Sequence, residues 1–140
     1  MLQTSFSRVA YTELNARQKE NFNFHRAAAI LAEYGYNSIR LTDDWGSADF
    51  LAYHIDGVQL LKVQLKARFT VEEKYLGKGL HIAFMQEDAL YVFPHDEFYM
   101  LWYKREDRRG RQAFVRMPTL PRWLLGSLVP YRITASWKTT

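Results

Sequence analysis

Residues 46–68 read GSADFLAYHIDGVQLLKVQLKAR. Two apolar-rich runs, 48–55 and 58–69, flank Asp56-Gly57, a dipeptide that favours a tight β-hairpin. After the turn, Leu61, Val63, Leu65, Ala67 and Phe69 alternate with Lys62, Gln64, Lys66 and Arg68. That alternation predicts a strand with one apolar and one polar face. A two-residue loop sets Ile55 opposite Val58, Tyr53 opposite Leu60, Leu51 opposite Lys62 and Asp49 opposite Gln64. Opposed residues share a face, with Cβ atoms about 4.5–5.5 Å apart. Lys66 lies two residues beyond Gln64 and shares that face. The spacing therefore gathers Asp49, Gln64 and Lys66 at the far end of one hairpin, provided no bulge intervenes.

The flanking sequence fits a layered α/β domain. Residues 12–34 read as a helix, with Thr12 as cap and a stripe of Glu20, Phe24, Ala27, Leu31 and Tyr34. Gly35 stands where a left-handed residue would end that helix. Strands are expected at 36–41, 80–85, 89–93, 113–117 and 131–137, with a polar turn at 42–47. Residues 71–78 read as helix or loop. Asp96-Glu97 opens a short helix, and Thr119 caps another that contains Trp123 and stops near Gly126. Residues 104–111, KREDRRGR, read as an exposed hairpin tip. No repeat or linker divides the chain, so residues 1–140 are expected to form one domain.

Composition narrows the chemistry. The 140 residues include no cysteine, which excludes a disulfide scaffold, a Cys-ligated zinc site, an iron–sulfur cluster and a thiol nucleophile. Net charge is +4, compatible with a polyanionic partner without demanding one. No apolar run reaches the ~18 residues of a membrane span, and the N-terminus lacks a secretory h-region. A soluble cytoplasmic protein is the expectation. The four histidines show no ligand spacing and read as polar core or surface residues.

An aspartate and an amide carbonyl are hard oxygen ligands, suited to Mg²⁺ or Mn²⁺. A lysine beside them can stabilise charge on a phosphate under attack by water. That combination points to phosphodiester hydrolysis. The stretch Gly46 to Tyr53, then Asp56-Gly57, then Leu61 to Arg68, resembles the core of the PD-(D/E)XK nuclease superfamily. The helix ending Ala32-Glu33-Tyr34-Gly35-Tyr36 shares the likeness. It is nearest to Holliday junction resolvase-like members and small homing endonucleases. The resemblance implies a restriction-endonuclease-like mixed sheet flanked by helices. It implies Asp49 as metal-binding acid, Gln64 at the (D/E) position of a Q-x-K variant, and Lys66 as catalytic lysine. Members often carry a Glu about 11 residues, or three turns, before the glycine. Phe24 stands there, and Glu20, one turn earlier on the same stripe, is the substitute acid. The metal set is then Asp49, Gln64 and Glu20.

The implied function is a metal-dependent DNA endonuclease, of homing-endonuclease or junction-resolvase type. The alternative is a catalytically inactive nucleic-acid-binding module of the same fold. Arg68, Lys74, Lys78, Lys104, Arg105, Arg108, Arg109 and Arg111 are the candidate phosphate contacts. Lys62 reads as a guard on an edge strand. Cutting two strands with one site per chain calls for a homodimer or higher homo-oligomer. The aromatics Tyr99, Trp102, Trp123, Tyr131 and Trp137 would suit an interface or simply complete the core.

Overall fold

The computed structural model describes residues 5–106, 114–117 and 119–138. Helix α1 (Ala16–Glu33) is capped by Asn15 rather than Thr12. The Asn15 carboxamide oxygen accepts the Gln18 N–H at 2.8 Å, and the Gln18 side chain accepts the Asn15 N–H at 2.9 Å. This reciprocal capping box satisfies two otherwise orphaned donors. Thr12 belongs instead to a separate 3-10 turn, Tyr11–Glu13. Phe24, Ala27, Ile30 and Leu31 form the buried stripe of α1. Gly35 ends the helix at φ +88°, and its carbonyl accepts the Ile55 N–H at 2.9 Å.

The main sheet is six-stranded, in the order β1 (Tyr36–Trp45), β2 (Ala48–His54), β3 (Leu60–Lys66), β5 (Leu80–Gln86), β6 (Ala89–Pro94), β8 (Arg132–Thr134). Only the β3–β5 pairing is parallel, so the sheet is mixed. The β2–β3 hairpin has the expected register: Tyr53 pairs with Leu60, Leu51 with Lys62 and Phe50 with Val63. The turn is wider than the two residues expected. His54 N–H donates to the Gln59 carbonyl at 2.9 Å, and Asp56 accepts the Val58 and Gln59 N–H groups at 2.8 and 2.9 Å.

Two layers of helix sandwich this sheet. Helix α1 covers one face, where Phe24, Ala27, Ile30 and Leu31 pack on Phe50, Ala52, Val63, Ala83 and Val92. Helices α2 (His95–Glu106) and α3 (Arg122–Leu128) supply the other core, with Phe98, Trp102, Leu124 and Leu128 against Ile82, Phe84 and Phe93. The expected α/β architecture, a mixed sheet flanked by helices, is the one observed.

Several local expectations are corrected. Strand β1 continues through residues 42–45, leaving only Gly46-Ser47 as turn. Strand β3 stops at Lys66. Phe69 enters β4 (Phe69–Glu72), which pairs with β7 (Phe114–Met117) in a second, two-stranded sheet. The Phe69 ring therefore lies in the α2-side core, not on the Val63 face. The chain after Glu72 makes a 3-10 turn, Glu73–Tyr75. Helix α2 runs on to Glu106, so Lys104 and Arg105 are exposed helix residues rather than part of a hairpin tip. Arg108, Arg109 and Arg111 lie outside the described residues. Helix α3 begins after Pro121 and passes through Gly126. Strand β3 lies inside the sheet, so Lys62 guards no edge. Tyr99 and Trp102 are buried, Trp123 and Tyr131 pack against the same core, and Trp137 is exposed. Among the described residues no helix is long and apolar enough to cross a membrane.

A Cβ on Gly35 would meet His54 Nε2 at 2.9 Å while holding a left-handed backbone. Gly35→Ala is expected to cost at least the ~1–2 kcal/mol of that conformation. The loss is read as a lower urea midpoint with unchanged slope. An unchanged midpoint would contradict the packing described.

Candidate active site

The backbone ladder between β2 and β3 reaches Phe50–Val63 and goes no further toward the sheet end. At the next step Asp49 takes over with its side chain. Its Oδ2 accepts the Leu65 N–H at 2.7 Å, so the carboxylate finishes what the ladder leaves open. This bond ties the start of β2 to the end of β3. On its other edge β3 remains paired, with Gln64 against Ile82 and Lys66 against Phe84.

Asp49, Gln64 and Lys66 line one cleft of about 540 Å³ together with Glu20, Lys19 and Arg40. Asp49 and Gln64 also line a second hollow of about 550 Å³, shared with Asp43, Ser47, Lys74 and Tyr75. The two residues thus stand where both openings meet. Glu20 is exposed and reaches the cleft from the first half of α1. Phe24, at the position that often holds an acid in the resembling family, is buried edge-on against Phe50 at 5.1 Å. The helix therefore presents its carboxylate one turn earlier.

The electrostatics are mixed within a small space. Desolvation by the surrounding walls pushes the Asp49 carboxyl above its ordinary range. The Glu20 charge acts in the same direction, while the Leu65 N–H, Lys66 and Arg40 oppose it. Asp49 nonetheless keeps an exposed edge in the cleft. Arg40 lies over the Phe24 ring at 5.2 Å and donates to the Asn21 side chain. Sequence spacing gave no sign of Arg40 or Lys19, because neither belongs to the hairpin that carried the reading.

Lys66 is held by a relay of contacts. Its Nζ lies 3.6 Å from Glu72 Oε1 and 5.1 Å from the centre of the Tyr75 ring. Lys74 meets the other Glu72 oxygen at 3.3 Å. Glu72 is fixed in turn, since its N–H donates to the buried His95 Nε2 at 3.0 Å. That acceptor role places the imidazole proton on Nδ1, which donates to Asp96 Oδ1 at 2.8 Å. Asp96 Oδ2 accepts the Gly77 N–H at 3.0 Å. His95 is thus committed to a structural relay. Arg68 is exposed at the end of this region, and Lys74 and Lys78 are exposed beyond it.

Among the described residues no group of three or more His, Cys, Asp or Glu side chains gathers as a metal site. The cleft offers two carboxylates, from Asp49 and Glu20, and the Gln64 carboxamide oxygen. This set suits a hard dication that keeps several waters.

Comparison with known proteins agrees on the architecture. No family model matches the sequence, and no curated protein is similar to it. A solved structure, that of the bacterial homing endonuclease I-Ssp6803I, is similar in fold with a TM-score of 0.50 and 18% identity. The likeness covers 84% of this chain and 86% of that one.

The raised Asp49 carboxyl has a stability consequence. The folded chain holds this proton to higher pH than the unfolded chain does. Stability from this group is therefore lost as pH rises through the window between the ordinary aspartate range and the raised folded value. Asp49→Asn keeps an oxygen for the Leu65 N–H and removes the charge. It is expected to raise the thermal midpoint at pH 7 by about 1–4 °C, with the difference vanishing near pH 3. A lower midpoint at pH 7 would show that the charge stabilises the fold.

Proposed function

We propose that this chain is a metal-dependent DNA endonuclease of the PD-(D/E)XK type, in its Q-x-K form, acting as a homing or junction-cleaving enzyme. The observation that carries the reading is the convergence of Asp49, Gln64, Lys66 and Glu20 on one cleft, with Asp49 pinned to β3 through Leu65. The fold likeness to a bacterial homing endonuclease supports it. Asp49, Gln64 and Glu20 would hold Mg²⁺ or Mn²⁺ through oxygen atoms. Such an ion, when bound, supplies an acidified water and neutralises phosphate charge.

The chain's own groups do the remaining work. The Lys66 ammonium, steadied by Glu72, faces charge developing on the phosphate oxygens. Lys19 and Arg40 give the cleft wall a positive potential that draws in a phosphodiester backbone. One cleft per chain cuts one strand, so a two-fold dimer is the proposed form for cutting both. A second reading, a silent nucleic-acid-binding module, is favoured by the want of any group of three or more His, Cys, Asp or Glu side chains among the described residues.

Cleavage of supercoiled plasmid and branched DNA separates the two. The enzyme reading predicts nicked or linear product that requires Mg²⁺ or Mn²⁺. Lys66→Ala should slow cleavage about 10²–10³-fold with little change in DNA affinity. DNA binding without cleavage in either metal would establish the silent module instead.

A further inference from the structure

The β1–β2 turn, Trp45 to Ala48, has features that the cleft does not use. Gly46 and Ser47 both have left-handed backbones, at φ +60° and +67°. Glycine adopts this freely, whereas serine pays about 1–2 kcal/mol for it. Trp45 pairs with Ala48, so Gly46-Ser47 is a two-residue hairpin turn, which requires this conformation at both central positions. The Ser47 hydroxyl accepts a hydrogen bond from Lys78 Nζ at 3.0 Å. Lys62 converges on the same turn from β3: its Nζ lies 5.4 Å from the centre of the Trp45 ring. A Cβ on Gly46 would come within 3.8 Å of that Nζ, and one on Gly79 within 3.7 Å of Lys62 Cε. Among the described side chains neither ammonium has a carboxylate within 4.0 Å. Trp45 is 55% exposed.

The geometry points to a phosphate clamp: Lys62 and Lys78, gathered by the Trp45–Ser47 turn, bind a backbone phosphate of the DNA strand entering the cleft. Two ammonium groups and an exposed indole at one tight turn match a phosphodiester with a base beside it. The placement fits the proposed site, on which this inference rests. Ser47 lies two residues before Asp49 in the chain, and it lines a hollow together with Asp49 and Gln64, so the turn borders the proposed site.

The test measures the salt dependence of binding to a short DNA duplex for the full chain. Lys62→Ala with Lys78→Ala should lower the log–log salt slope by about 0.9, the share of one phosphate contact. The same charge loss at Arg122 and Arg132, both exposed elsewhere on the surface, should leave the slope unchanged. Ser47→Gly, which relieves the backbone, should weaken binding without lowering the thermal midpoint. Inorganic phosphate is titrated in parallel, following the Gly46 and Ser47 amide resonances. Wild-type DNA binding with an unchanged slope in the Lys62/Lys78 variant overturns the clamp and leaves the nuclease reading standing. Phosphate-dependent shifts at the turn without any DNA binding overturn the DNA clamp together with the nuclease reading and leave a free-anion site in their place. Neither DNA binding nor phosphate shifts overturns both.

Discussion

The hydrogen bond from the Leu65 N–H to Asp49 Oδ2, at 2.7 Å, is the constraint on which the site depends. It uses one carboxylate oxygen to close the hairpin end and leaves the other oxygen for the cleft. Replacing that bond by ordinary ladder pairing would turn the β2 terminus into another pair of strand residues. Ending the ladder there opens the hollow on either side of Asp49 and Gln64. The cost is a carboxylate desolvated beside a second acid, and the compensating cations Lys66 and Arg40 come from neighbouring strands. Structure and chemistry therefore meet in one side chain, which is held by the fold and destabilised by its surroundings.

The hairpin was legible in the sequence because its register is fixed by the centre of the turn. The loop spans 55–58 rather than two residues, yet it widens symmetrically about Asp56-Gly57, so the pairing is unchanged. The Asp56 side chain, accepting from Val58 and Gln59, is what holds the wider loop. The register of β1 was not legible. Its pairing with β2 shifts between Arg40 and Trp45, an irregularity that no alternation reveals. Arg40 pairs with Phe50 before that shift and was missed because it lies outside the β2–β3 hairpin. Phe69 was misplaced because the apolar alternation runs unbroken through Ala67-Arg68, while the chain leaves the sheet there and re-enters another. Glu20 was reachable from the helical stripe, since one turn separates it from the buried Phe24. The end of α2 was misread because Lys104 and Arg105 suit an exposed helix terminus as well as a turn.

The relay from Lys66 through Glu72 to His95 and Asp96 joins the site to the second core. It explains why a short strand, β4, follows the lysine so closely: it carries Glu72 back beneath the Lys66 side chain. His95 and Asp96 are neighbours in sequence, but only the assembled fold brings β3, β4 and the start of α2 together. The same logic applies to Lys62, which alternation alone makes an edge guard and which the fold carries to the β1–β2 turn.

Asp49, Gln64 and Glu20 are proposed as one oxygen-ligand set. Anomalous X-ray diffraction from crystals saturated with Mn²⁺ tests it most directly. The account predicts one strong peak in the cleft, about 2.0–2.2 Å from an Asp49 oxygen and the Gln64 carboxamide oxygen, with Glu20 reaching it directly or through water. An empty cleft at saturating Mn²⁺, or a peak whose ligands exclude Asp49, would contradict it.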